Sequence, residues 1–281
     1  MPLVGTGDIL KAGAKRGAGA FNVVMLEHAT AIVAGAEAAG TPVVLQISEN
    51  CVRYHGAAAP IIAAALATAR AAAVPVAVHL DHATSVDLVH EAVELGVGSV
   101  MFDASALPYA DNVAATAEVS AWCHARGVFV EAELGEVGGK DGVHAPGART
   151  DPAEAAAYVS ATDVDALAVA VGTSHAMLTR DAVLDLDLIA ELHAAVPVPL
   201  VLHGSSGVPD ATLAAAVRHG MAKINIATHL NAVLTGEVRR ALDADPALVD
   251  PRKYLKPARN AVSAEVARLL DVLGGGILGD N

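Results

Sequence analysis

Short apolar runs punctuate the chain at regular intervals. In order they are AGAFNVV (18–24), PVVLQIS (42–48), VPVAVHL (74–80), SVMFDAS (99–105), VFVEAEL (128–134), ALAVAVG (166–172), PLVLHG (199–204) and AKINIAT (222–228). Each is continuous rather than alternating, the pattern of a strand buried on both faces. Between them lie alanine-rich segments with helical spacing, such as LEHATAIVAGAEAAG, SVDLVHEAVELGVG, VAATAEVSAWCHARG and PDATLAAAVRHG. Each closes on glycine, a common helix stop. Eight strand–helix units predict an α/β fold, a (β/α)8 TIM barrel, rather than an open sheet. No second domain boundary is visible, so residues 1–281 read as one barrel domain, with 239–281 as a C-terminal extension of one or two extra helices. The glycine-rich stretch 135–152 after the fifth run reads as a long loop, either a mobile lid or an ordinary floppy connection.

Composition narrows the function classes. At 281 residues and 54% hydrophobic, the chain has enough apolar material for a large core. No uncharged apolar run reaches the roughly 18 residues of a membrane span; AAAPIIAAALATARAAAV (57–74) is interrupted by Pro60 and Arg70. The start of the chain has no hydrophobic signal core, so a cytoplasmic location is expected. Two cysteines, Cys51 and Cys123, without a spacing pattern, read as reduced buried thiols. A net charge of −13 argues against nucleic-acid or anionic-membrane partners. It leaves room for a small anionic substrate held by backbone amides and a local cation.

The unusual polar residues fall at the C-terminal ends of the predicted strands, where barrels place their chemistry. The third strand ends in His79, Asp81 and His82, the fourth in Asp103, and the fifth in Glu131 and Glu133. The sixth runs to His175, the seventh to His203, and the eighth carries Asn225 and Thr228. A lone histidine at a strand end is usually hydrogen-bonded filler. His82, His175 and His203 converging on one mouth instead match the open three-imidazole set of a catalytic Zn2+, which other divalent metals also accept. HGSSG (203–207) leads a strand into a helix start and offers free N–H groups to an anion, and NIAT (225–228) adds an amide and a hydroxyl. The loops after strands seven and eight are a frequent phosphate site in such barrels. Before any family is considered, the residues describe a metal enzyme acting on a small phosphorylated molecule.

HLDH, MFDAS, EAELG, GTSH, LVLHGSSG and KINIAT, in this order, resemble the class II fructose-bisphosphate and tagatose-bisphosphate aldolases, from about GAFN to YLKPARNAV. The resemblance implies zinc-dependent reversible cleavage of a ketose bisphosphate to dihydroxyacetone phosphate and an aldehyde such as glyceraldehyde 3-phosphate, a lyase of carbohydrate metabolism. It implies that His82, His175 and His203 bind Zn2+, with Glu133 and Asp103 around the metal and Asp81 moving the proton. It implies that Gly204, Ser205, Ser206, Asn225 and Thr228 hold dihydroxyacetone phosphate, Asn225 also serving catalysis. It implies also that Ser48 and Arg259 contact the distal phosphate, Arg259 from a neighbouring subunit. A monovalent cation, Na+ or K+, and a homodimer or homotetramer complete what the resemblance implies.

Breaking a carbon–carbon bond beside a ketone leaves an enolate, which either a Lewis acid or a lysine Schiff base stabilises. Lys223 lies two residues before Asn225; with a histidine triad present it reads as a structural charge, and His79 as a support for the triad. Two departures from the family pattern stand out. Ala176 follows the second histidine where glycine is common, and the lid reads GGKDG, with Asp141 in place of the family's acidic pair. Two other readings remain: a different metal-dependent barrel enzyme of sugar phosphates, and a non-catalytic phosphosugar-binding or stabilising subunit.

Overall fold

A computed structural model describes residues 2–13, 16–134 and 149–275; Asp141 lies outside them. The elements, in order, are α1 (Thr6–Ala12), β1 (Ala18–Asn22), α2 (Leu26–Ala39), β2 (Val43–Ser48), α3 (Glu49–His55), α4 (Ala59–Ala71) and β3 (Val76–Ala83). There follow α5 (Val86–Glu94), β4 (Ser99–Phe102), α6 (Tyr109–His124), β5 (Phe129–Leu134), α7 (Pro152–Thr162) and β6 (Ala166–Val169). The chain ends with α8 (Leu186–Ala195), β7 (Leu200–Leu202), α9 (Asp210–Arg218), β8 (Met221–Ile226), α10 (Thr228–Ala244) and α11 (Pro251–Leu273). All eight strands pair in parallel and in sequence order, and β1 pairs with β8, closing the barrel. Every predicted strand is present, within a few residues of its expected limits.

The apolar runs are explained by what covers them. Side chains facing outward, among them Phe21, Leu45, Ile47, Val78, Leu80, Val100 and Ile224, join the helices in one large buried cluster. The inward positions low in the barrel are mostly small: Ala18, Ala20, Val44 and Ala77 on one side, Met101, Ala166, Ala168 and Val201 on the other. Above them the interior turns polar, through Gln46, His79, Glu131, Lys223 and His203, all fully buried. Buried polar groups persist mainly when they are hydrogen-bonded, and most of this layer falls into two bonded groups. Thr6 Oγ1 lies 2.6 Å from Ser99 Oγ, which lies 2.6 Å from His79 Nδ1. Glu131 joins Lys223 and His203.

Helix starts follow ordinary capping rules. Ser48, Ser85, Asp151 and Asp185 accept from backbone N–H groups in the first turns of α3, α5, α7 and α8. Arg239 falls inside α10, so the helix that follows the barrel is α11, which packs against α2 and α10. Gly35 permits that contact: a Cβ there would stand 2.5 Å from the Ser263 carbonyl oxygen. No described helix is long and apolar enough to cross a membrane. Both cysteines are free and buried.

Candidate active site

The C-terminal mouth opens into a cleft of about 310 Å3. Its wall carries His82, His175, His203, Asp81, Asp103, Gly204, Ser206, Asn225, Thr228 and Ser48 from the predicted set. Adjacent residues of a strand point to opposite faces, so Asp81 and His82 should not both reach the mouth. The backbone solves this locally. Between Leu80 and Ala83 the register to β4 shifts by one residue, and His82 has φ 51°, in the left-handed region. Such a bulge re-aims a side chain, and His82 swings in beside Asp81.

The three imidazoles each offer a nitrogen within 4.8 Å of the others, and their rings meet edge to face at centroid distances of 4.5, 5.1 and 5.8 Å. His203 Nδ1 and His82 Nε2 face each other at 2.8 Å. The outer nitrogens of both rings are committed to carboxylates: His82 Nδ1 lies 2.9 Å from Asp103 Oδ2, and His203 Nε2 lies 3.0 Å from Glu131 Oε1. A carboxylate behind a ligating histidine fixes its tautomer and aims its other nitrogen at a metal. Burial, and then the neighbouring His82, holds the His203 imidazole well below its ordinary pKa, so it stays neutral, as a ligand must. His82, Asp103 and Glu133 form a second convergent group on the same histidine, and Ser105 Oγ donates to Asp103 Oδ1. This donor set fits a divalent cation.

Asp81 is 3% exposed, and its Oδ2 accepts from Asn22 Nδ2 at 2.8 Å; Asn22 Oδ1 in turn accepts from Gln46 Nε2 at 3.2 Å. Burial alone would raise the Asp81 pKa, but His82, Lys223 and the Asn22 hydrogen bond together hold it below the usual carboxylate value. The carboxylate is therefore ionised at neutral pH and ready to accept a proton.

Ser206 and Gly204 sit in a tight turn, a single 3-10 turn at Ser205–Gly207. Gly204 has φ 66°, and a Cβ there would lie 2.7 Å from the Ser174 carbonyl oxygen, so only glycine fits. Ser206 Oγ accepts from the backbone N–H groups of Ala227 and His229, both at 3.2 Å. With its lone pairs so engaged, its own O–H is left to donate to an anion at the start of α10.

The family model for class II fructose-bisphosphate aldolase matches residues 6–276. The chain belongs to that family. It is 40% identical over 272 residues to the Bacillus subtilis (strain 168) protein named "Probable fructose-bisphosphate aldolase", covering 95% of each chain. It is 39% identical over 256 residues to the Geobacillus stearothermophilus fructose-bisphosphate aldolase, covering 90% of this chain and 89% of that one. Among solved structures it resembles the YdjI aldolase of Escherichia coli K12, with TM-score 0.84, 30% identity, and 99% and 100% of the two chains covered. Membership implies a divalent metal, consistent with the donor set.

Other predicted residues lie elsewhere. Ser205 turns away, its Oγ donating to the Leu202 carbonyl at 3.0 Å, and it does not line the cleft. Arg259 is exposed on α11 and is not part of this chain's own cleft wall, so a substrate contact from it would be in a neighbouring subunit. His79 stays below the metal group, with Nε2 3.8 Å from Glu131 Oε2; burial, and then Lys223, pushes its pKa far down. Lys223 Nζ donates to Glu131 Oε2 at 2.8 Å with no exposed surface, the structural charge expected from sequence. Ala176 lines the cleft at φ 58°, a left-handed conformation that costs an alanine and suits a glycine. Asn22, Glu49, Asn50, Arg53 and Thr84 also line the cleft and were not singled out from sequence. Asn22 ends β1 at the mouth, so the strand-end criterion that found the others applies to it as well.

Proposed function

We propose that the chain catalyses reversible cleavage of a ketose 1,6-bisphosphate, fructose 1,6-bisphosphate first and tagatose 1,6-bisphosphate second, to dihydroxyacetone phosphate and glyceraldehyde 3-phosphate. The observation that carries this reading is the pairing of three convergent imidazoles, two of them backed by carboxylates, with an ionised Asp81 beside them. His82, His175 and His203 would hold the cation, Zn2+ by their chemistry, with Asp103 and Glu133 close by. When bound, it would supply the positive charge that stabilises the enolate left on the dihydroxyacetone phosphate half. A Na+ or K+ ion beside the phosphate, a cytoplasmic setting and a homodimer or homotetramer belong to the same proposal.

The chain's own groups supply the rest. In the cleavage direction Asp81 accepts the proton of the C4 hydroxyl as the C3–C4 bond breaks; C4 becomes the aldehyde carbonyl, and the bond's electron pair stays with C3, which then takes up a proton from solvent to give dihydroxyacetone phosphate. Asn22 steadies the Asp81 oxygen during this transfer. In the condensation direction the protonated Asp81 returns that proton. Ser206, Gly204 and Thr228 would orient the phosphate by hydroxyl and amide donation, and Asn225, whose amide nitrogen lies 3.0 Å from His203 Nε2, would sit beside the reacting carbons.

The test is an assay of the purified protein on fructose 1,6-bisphosphate and tagatose 1,6-bisphosphate, with detection of released dihydroxyacetone phosphate. Activity should vanish with EDTA and return with Zn2+. Borohydride added with substrate should leave Lys223 unmodified. Persistence of cleavage in EDTA, or trapping of substrate on Lys223, would refute the reading.

A further inference from the structure

A bisphosphate brings two dianions into a cleft whose wall already carries three carboxylates, Glu49, Asp81 and Asp103, in a chain of net charge −13. The two ends of the cleft are unequally equipped. Around Gly204, Ser206 and Thr228 the donors are amides and hydroxyls at a helix start. Among the described residues lining the cleft, a single lysine or arginine is present: Arg53, on α3.

We infer that Arg53 recognises the second, distal phosphate and so sets the preference for bisphosphates over monophosphates; this rests on the aldolase reading above. Arg53 is positioned by a clamped helix. Ser48 Oγ accepts from the Cys51 N–H at 3.2 Å, and Cys51 Sγ donates to the Val23 carbonyl at 3.3 Å, fixing the first turn of α3 to the segment just after β1. The Glu49 carboxylate accepts from Thr84 N–H at 2.6 Å and from its hydroxyl at 3.0 Å, fixing the same turn beyond the end of β3. Glu49 is thereby occupied, and its approach to Arg53 Nε is a loose 4.0 Å.

The guanidinium itself is steadied but not consumed. Its Nη2 donates to Asn50 Oδ1 at 2.6 Å, while 65% of the side chain remains accessible. A guanidinium carries five N–H donors in a planar fork, so donors remain for a phosphate, which that fork grips two bonds at a time. Ser48 lines the same part of the cleft and adds a hydroxyl.

The experiment compares kcat/KM for fructose 1,6-bisphosphate and fructose 1-phosphate in the wild type, Arg53→Ala, Arg53→Lys and Arg259→Ala. Loss of a charged hydrogen-bonding partner at a solvent-open rim predicts that Arg53→Ala lowers the bisphosphate-to-monophosphate ratio about tenfold or more, through KM rather than kcat. Arg53→Lys, keeping the charge but losing the fork, should recover part of it. Equal losses on both substrates, an unchanged ratio in Arg53→Ala, or a change confined to Arg259→Ala would overturn the inference. A wild type that cleaves both substrates equally well would also overturn it, with the aldolase reading intact; a wild type that cleaves neither would instead fail the aldolase reading.

Discussion

The buried ion pair under the metal group offers a quantitative test. Lys223 Nζ and Glu131 Oε2 are 2.8 Å apart with no exposed surface on either side chain. At an effective dielectric near 20, two unit charges at that distance attract by about 6 kcal/mol. Desolvation takes back several kcal/mol per ion, so the pair as a whole is worth little. Breaking it is another matter. Lys223→Met keeps length and volume but leaves the Glu131 carboxylate buried beside His203 with its cation gone, a change that costs about 3–5 kcal/mol. Lys223→Met with Glu131→Gln removes both charges, and the amide oxygen can still accept from His203 Nε2. The double variant should therefore lie within about 1–2 kcal/mol of the wild type, recovering about 1–4 kcal/mol of the single variant's loss. With about 2 °C per kcal/mol for a chain of this size, the single variant should melt about 6–10 °C lower and the double about 2–4 °C lower. Circular-dichroism melts of metal-loaded and EDTA-treated protein, with metal content measured in parallel, would read this out. A single variant melting within about 2 °C of the wild type, or a double variant no more stable than the single, would refute the assignment of Lys223 as Glu131's counter-ion.

Asp81→Ala should retain metal and lose turnover by about 100-fold or more, the scale of a lost general acid–base group; near-normal cleavage would remove it from the mechanism. Ala176→Gly relieves left-handed strain of about 1–2 kcal/mol and loses about 0.5–1 kcal/mol to unfolded-chain entropy. The melting point should therefore rise slightly, and a fall would show that the Ala176 methyl packs productively. Glu265, bonded to His229 and Arg268, has its pKa pushed down to about 2: burial alone would raise it, but the Arg268 and His229 contacts outweigh that. A depressed carboxylate stabilises the fold above its unfolded pKa and loses that contribution as pH falls toward 2. Glu265→Gln should thus lose up to about 2–3 kcal/mol at pH 7 and almost none at pH 2, as followed by urea melts across that range.

The strands and the metal-ligand candidates were legible because both obey one rule: a parallel barrel buries its strands on two faces, so polar residues concentrate toward the strand ends that approach the mouth. That rule located His82, His175, His203, Asp81 and Asp103, and applied to β1 it also locates Asn22. What it could not reach were conformational and long-range facts. Asp81 and His82 share the cleft through a one-residue bulge and a positive φ, and no periodicity announces either. Ser205 and Ser206 are neighbours of one type, yet a single 3-10 turn sends one to the Leu202 carbonyl and the other to the cleft. Glu131 and Lys223 are 92 residues apart, and their pairing exists only because β5 and β8 point them into the same barrel interior. Arg53 escaped the rule because it lies on a helix, α3, where polar residues are the norm and carry no signal. It gains meaning only from its surroundings: with Glu49 turned to Thr84 and α3 pinned by Ser48 and Cys51, its guanidinium is the positive charge left facing a cleft lined by carboxylates. Chemistry announced by residue type at a strand end is thus readable in one dimension, whereas substrate discrimination set by a helix beyond the strand becomes readable only once its neighbours' hydrogen bonds are known.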